Sequence, residues 1–305
     1  MELNKIIEGD SAEVLAQFPA DCVDCTITSP PYDDLREYEG YTFNFTLIAT
    51  QLYRVTKPGG VLVWVVNDSI VNGNRSGTSF RQALEFKDIG FTFFDCIIMQ
   101  KSGTSYPSMK RYTASYEFMF IMSKGVPKTV NLIKDQVKKW AGSWGTTRQR
   151  QKDGTLRDST AANCGAAKSG KASEDNPIHG FKARTNIWPV TTGKGFAHPD
   201  GDLAYNHPAT FPTTLAMDHI KSWSNAGDLV LDPMCGSGTT CVAAKLLGRN
   251  YIGIDVSAEY CALAEMRVGG VRHGAGSEGQ ETPGRDGEED LQPGQVPGPG
   301  GLPER

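Results

Sequence analysis

The chain has no apolar run long enough to cross a bilayer. Its longest clean strand-like run, Val61-Leu62-Val63-Trp64-Val65-Val66, is far short of the roughly 20 residues that a spanning helix needs. Residues Met1 to Lys5 also lack the basic-then-apolar pattern of a secretion signal, so a cytoplasmic protein is expected. Cysteine is sparse, with seven in 305 residues, and only Cys22 and Cys25 stand close together. This excludes a disulfide framework and leaves reduced thiols. No second Cys or His pair completes a metal half-site with Cys22 and Cys25, and no metal is expected. From Gly269 onward large apolar residues are almost missing, and Gly, Pro and acids dominate, which predicts a disordered tail over 269–305.

What remains is a chain that is 39% hydrophobic, enough for one large α/β domain carrying an insertion. The formal net charge of −4 is unevenly spread. The tail holds seven acids against three bases, whereas Lys101 to Lys194 holds 17 Lys or Arg against six Asp or Glu. A basic middle between acidic flanks suits a surface that follows a phosphate backbone, although a solvated Lys-rich loop region has the same composition. Residues Ala141 to Lys171 show little apolar periodicity and read as long loops. The interleaved Trp140, Trp144, Arg148, Arg150, Phe181, Arg184 and Trp188 suit groove or backbone contacts, and equally the core of a small subdomain.

On either side of this middle, strands and helices alternate. Strands are expected at Lys5–Ile7, Cys22–Thr28, Val61–Val66, Leu229–Leu231 and Tyr251–Ile254, with helices at Ser11–Phe18 (capped by Ser11), Phe45–Val55, Thr213–Trp223, Thr239–Leu247 and after Ser257. Lys57 to Gly60 reads as a sharp turn, and Phe91–Gln100 with Tyr116–Ser123 as an antiparallel pair. Such alternation predicts a doubly wound, mainly parallel sheet.

In Leu229 to Asp255 a short strand meets the turn Asp232-Pro233-Met234-Cys235-Gly236-Ser237-Gly238-Thr239-Thr240, a helix follows, and a second strand ends in an acid. Gly236 and Gly238 allow close backbone approach to a ligand, and Asp255 stands 19 residues past Gly236, where a βαβ unit puts a carboxylate beside a ribose diol. A dinucleotide site would carry a small residue where Cys241 stands, and Asp232 would repel a pyrophosphate. Both acids suit S-adenosyl-L-methionine, a sulfonium with a ribose and no phosphate.

The segment Ser29-Pro30-Pro31-Tyr32 follows a strand end, where the loops of open α/β sheets carry ligands. Two prolines fix the backbone and remove donors, so carbonyls and the Ser29 hydroxyl can accept both hydrogens of a planar amine while Tyr32 supplies a stacking face. That arrangement fits the exocyclic amine of a nucleobase. A plain Pro-Pro turn is the alternative.

Together with His207-Pro208-Ala209-Thr210-Phe211-Pro212, these segments resemble the DNA amino-methyltransferases that act on N4 of cytosine or N6 of adenine. The order, catalytic segment first and cofactor loop last, is similar to that of the circularly permuted β group. The resemblance covers about residues 5 to 268 and implies a Rossmann-like methyltransferase fold, S-adenosyl-L-methionine as cofactor and double-stranded DNA as partner. It implies that Ser29, Pro30, Pro31 and Tyr32 hold the flipped base. Asp232 to Thr240 would surround the methionine part of the cofactor, with Phe211 and Thr213 nearby, Asp255 on the ribose and Asp10 towards the adenine ring. It further implies a catalytic half over 1–128, a target-recognition insertion over 129–195 and a cofactor half over 196–268. Many adenine-specific members carry Asp where Ser29 stands, which tilts the expected target to N4 of cytosine, with N6 of adenine as the alternative. A catalytically decayed DNA-binding protein and a nicotinamide-dependent oxidoreductase are the rivals. A homodimer and a cognate restriction endonuclease stay open.

Overall fold

The computed structural model describes residues 1–31, 43–102, 111–137, 146–150, 152–160, 181–191 and 211–271. The chain runs β1 (Lys5–Glu8), α1 (Ser11–Ala16), β2 (Val23–Thr28), α2 (Phe45–Val55), β3 (Thr56–Val66), β4 (Ile70–Val71), β5 (Asn74–Arg75), α3 (Thr78–Ile89), β6 (Thr92–Lys101) and β7 (Tyr116–Ser123). Then follow β8 (Gln136–Val137), β9 (Thr146–Arg150), β10 (Leu156–Thr160), β11 (Phe181–Lys182), β12 (Ile187–Val190), α4 (Thr213–Trp223), β13 (Leu229–Asp232), α5 (Thr239–Leu246), β14 (Asn250–Asp255) and α6 (Ala258–Gly269). None of the described helices is long and apolar enough to cross a membrane.

Eight strands form one sheet in the order β1-β14-β13-β2-β3-β7-β6-β12, and β7 alone runs against the rest. The centre of the sheet is β3, whose run from Val61 to Val66 is buried on both faces, as a parallel strand between two helical layers requires. Val63, Val65, Ile121 and Val230 pack on the face covered by α4, while Leu62, Trp64, Phe120 and Leu231 pack on the face covered by α2 and α3. Helix α2 presents Ile48, Ala49, Leu52 and Val55 to that core, starts at Asn44, whose side chain accepts from Leu47 N at 3.2 Å, and stops ahead of Pro58. The chain is thus an α/β, Rossmann-like, doubly wound and mainly parallel sheet.

Several local expectations need correction. Asp10, not Ser11, caps α1, accepting from Glu13 N at 2.8 Å; Ser11 is the first helical residue, and its hydroxyl donates to the Pro233 carbonyl instead. Lys57 to Gly60 is not a turn ahead of the strand but part of β3. The left-handed Gly59 (φ +80°) kinks it there, and the pairing with β2 shifts register between Val23 and Cys25. Helix α3 has no counterpart in the sequence reading, because only Ser79, Gln82, Ala83 and Phe86 are buried while Phe80 and Leu84 stand exposed among charged residues, which blurs the apolar spacing. Between Ala141 and Lys171, read as loops, β9 and β10 form an antiparallel hairpin. Strand β12, inside the 129–195 stretch, adds to the main sheet beside β6. The tail from Arg272 lies outside the described residues, as do Tyr32 and His207 to Thr210.

Candidate active site

Strand β2 crosses over through α2 to β3 on one side, and β13 crosses through α5 to β14 on the other. Because β2 and β13 are neighbours, their carboxyl ends flank the point where the winding reverses, the crevice in which open α/β sheets bind ligands. Ser29-Pro30-Pro31 leaves β2 there, and Asp232 ends β13 one residue past the Leu231–Thr26 pair. The two segments are remote in sequence and become adjacent through one strand pairing. Ser29 and Pro31 are half-buried and Pro30 is buried.

Asp232 is only 2% exposed. Burial pushes its carboxyl up to about 6, the nearby Asp255 pushes the same way, and the Thr240 and Thr28 hydroxyls and the Met234 amide pull it back. Met234 N donates to Asp232 Oδ1 at 3.2 Å, whereas Thr28 Oγ1 is close enough to favour the charged form without making a hydrogen bond. A buried carboxyl whose charge is costly to hold fits a cationic ligand, which would offset that cost.

The turn beyond it is built by backbone contacts. Cys235 N donates to Ile254 O at 2.8 Å, Gly238 N to Cys235 O at 2.7 Å, and Gly236 N to Asp255 Oδ2 at 2.8 Å. Gly238 has φ +79°, and a Cβ there would sit 2.8 Å from Ala264 Cβ on α6, so only glycine fits. Ser237 and Thr239 are buried. From behind them Arg267, itself 1% exposed, donates through Nη1 to Ser237 O at 2.6 Å, Ser237 Oγ at 2.8 Å and Thr239 Oγ1 at 3.2 Å. The buried Thr240 donates to Ile27 O at 3.3 Å, tying α5 to β2. Asp255 is half-buried and also accepts from Ser257 N at 3.0 Å; each of its oxygens keeps lone pairs for a hydroxyl ligand.

Cys241, which stands where a dinucleotide loop would carry a small residue, faces the sheet. A Cβ on Gly253 would meet the sulfurs of Cys241 and Cys235 at 2.9 Å, so the strand rather than the helix supplies the glycine for close packing. Burial raises both thiols well above their usual range and leaves them inert. Asp10 follows β1, which pairs with β14 so that Glu8 lies opposite Asp255, and Gly9 N donates to Asp255 O at 2.9 Å. Thr213 is the first residue of α4 and fully buried, and Phe211 is half-buried against the core two residues earlier. The brace from Arg267, an Arg in a surface-like helix pattern, had no sequence signal, and the expectation of Ser11 as the cap of α1 gave no sign of its tie to Pro233.

Two of the aromatic and basic residues proposed for groove contacts are structural. Arg184 pairs with Asp135 and Asp218, the latter at 2.7 Å, and lies 4.9 Å over the Trp188 ring. Trp188 is buried and stacks on His219 at 4.7 Å. Burial drives His219 down to about 3, and it stays neutral, accepting from Trp223 Nε1 at 3.3 Å. A cavity of about 450 Å³ beside this stack, lined by Arg184, Trp188, Thr214 and Asp218, shares no lining residue with Ser29–Pro31 or Asp232–Thr240.

Residues 23–266 match the family model described as DNA methylase, for the N6 and N4 amino-methyltransferases. The orphan methyltransferase M.BamHII of Bacillus amyloliquefaciens is 46% identical over 251 residues, covering 81% of this chain and 89% of its own. Among solved structures, the cytosine-N4-specific PvuII DNA methyltransferase aligns with a TM-score of 0.60 at 18% identity over 86% of this chain and 85% of its own. The Thermus thermophilus protein TTHA0409, complexed with S-adenosyl-L-methionine, aligns with a TM-score of 0.56 at 24% identity over 88% of this chain and 95% of its own. The two structures share the fold; the family match over most of the sequence, with the M.BamHII identity, makes this chain a member of the DNA methylase family.

Proposed function

We propose that the protein transfers the methyl group of S-adenosyl-L-methionine to the exocyclic amine of a base extruded from double-stranded DNA, with N4 of cytosine the favoured target. The observation that carries this reading is the line of groups along one sheet edge: Asp10 after β1, Asp255 ending β14, Asp232 ending β13 and Ser29 after β2. Those four strands are consecutive neighbours, so the line spans about 14 Å at the usual strand spacing. Adenine, ribose and methionine fit along it in that order, with Asp10 towards the adenine ring, Asp255 on the ribose hydroxyls and Asp232 with the Pro233 to Thr240 turn around the methionine part. Phe211 and Thr213 flank this stretch. The cofactor of TTHA0409 supports the choice of ligand.

At the other end of the line the Ser29 hydroxyl and the Ser29 and Pro30 carbonyls accept the two amine hydrogens, Pro31 stiffens the turn, and Tyr32 stacks on the base. Holding both hydrogens on fixed acceptors draws the nitrogen towards a tetrahedral geometry, in which its lone pair is no longer delocalised into the ring. The lone pair forms the new N–C bond as the S–C bond breaks, the sulfur leaves as a neutral thioether, and an amine proton passes to solvent. Extrusion is required because the amine is paired inside the duplex. The reading is tested by incubating duplex DNA with labelled cofactor and chromatographing the nucleosides. N4-methylcytosine is expected; N6-methyladenine would change the target base, and transfer only to RNA or protein would overturn the reading.

A further inference from the structure

Just beyond the end of β3, the strand next to β2, lies a short hairpin that the proposed transfer leaves unused. Trp64 of β3 pairs with Thr28, the last residue of β2, so β3 runs two residues past the end of β2 before ending at Val66. Three residues later the chain folds into the β4–β5 hairpin, with Ile70 opposite Arg75 and Val71 opposite Asn74. Ile70 therefore stands no more than about 14 Å along the chain from the end of β3. Asn72 (φ 50°) and Gly73 (φ 79°) both take the left-handed conformation of a tight hairpin turn. Ile70 and Val71 are 49% and 56% exposed, two β-branched side chains beside a tight turn a few residues beyond the carboxyl end of β3.

The hairpin is braced. Ser76 N donates to Ser69 O at 3.1 Å, and Arg75 Nη1 to Asn67 Oδ1 at 3.1 Å and Asp68 O at 3.2 Å. Asn67 Nδ2 donates to Tyr116 O at 2.8 Å, Asp68 Oδ1 accepts from Ser79 N at 2.9 Å at the start of α3, and Arg111 Nη2 donates to Gly73 O at 2.6 Å. Among the described residues these partners of the two guanidinium groups are neutral oxygens, so both cations keep their charge for phosphate. A stiff apolar tip flanked by two arginines complements a duplex whose stack has been opened, because apolar side chains can replace a lost neighbour between base steps while arginine meets the backbone.

We infer that Ile70 and Val71 form a wedge that enters the DNA stack beside the extruded base and keeps it from returning. This rests on the proposed base-extruding transfer and adds a group that acts on the duplex rather than on the methyl. The test uses the full chain and a duplex carrying the site that the wild-type protein methylates on plasmid DNA. A second duplex has an abasic site opposite the target base, so that the base is already unpaired. The Ile70→Ser/Val71→Ser variant should lose about tenfold or more in kcat/KM on the paired duplex, where unstacking must be offset. It should stay within about threefold of wild type on the abasic duplex, with unchanged cofactor affinity, and Ile70→Leu/Val71→Leu should restore the paired reaction. Equal losses on both duplexes, or no loss on either, would overturn the wedge, and equal losses with a lowered sedimentation coefficient would assign the tip to self-association. If the wild-type protein methylates no DNA, the transfer itself falls, and the wedge with it.

Discussion

Asp232→Asn separates what the buried acid does for the ligand from what it does to the fold. The Asp232 carboxyl is raised from 3.8 to about 6 in the folded chain, chiefly by burial. A group with a raised folded value stabilises the protein below its unfolded value and loses that contribution as pH rises through the folded one. The window is therefore about pH 4 to 6. Between about pH 4.5 and 7.5, ionising this carboxyl inside the fold costs about 2 kcal/mol, a cost the amide does not carry. In urea unfolding without cofactor, the stability of Asp232→Asn minus that of wild type should rise by about this amount over that interval. Titrating groups that do not interact with Asp232 cancel in the difference. The bound sulfonium and ammonium would reverse the preference by favouring the charged carboxylate. Wild-type cofactor affinity should then rise as pH increases through about 6, and Asp232→Asn should bind weakly at every pH. A pH-independent stability difference, or a variant that keeps the wild-type affinity profile in calorimetry, would refute this account of the site.

Asp255→Ala should weaken cofactor binding by about tenfold or more, about 1.4 kcal/mol or above, and leave duplex binding in gel shifts little changed, since it removes both the proposed ribose acceptor and the anchor of Gly236. Gly238→Ala forces a left-handed φ on a side chain that meets Ala264, and should cost about 1–3 kcal/mol of stability and most of the cofactor affinity, read by thermal melting with and without ligand. Arg267→Met leaves the buried Ser237 carbonyl short of a donor. It should cost about 1–3 kcal/mol, and Arg267→Lys less, in urea unfolding. Tyr32→Ala should lower kcat on DNA without changing cofactor affinity in calorimetry.

The periodicity of the chain by itself determined most of the scaffold. Phe45–Val55 and Thr213–Trp223 fall where their apolar spacing puts them, and the β13–α5–β14 unit was legible because strand, glycine turn, helix and acid are consecutive. Side-chain chemistry also marked Asp232 and Asp255 as acids fit for a cation and a ribose. Helix α3 escaped because its buried residues are few and partly polar, and Gly59 because a left-handed kink inside a strand looks like a turn. Tertiary structure alone decided which distant segments meet. The β2–β13 pairing joins Ser29 to Asp232, Arg267 reaches the loop from α6, and Arg184 pairs with Asp135 and Asp218 rather than standing free. Spacing along a chain fixes local conformation through backbone sterics and burial of one face. Pairing between remote strands, and the burial that lifts Asp232 towards neutrality, depend on what the fold packs around them.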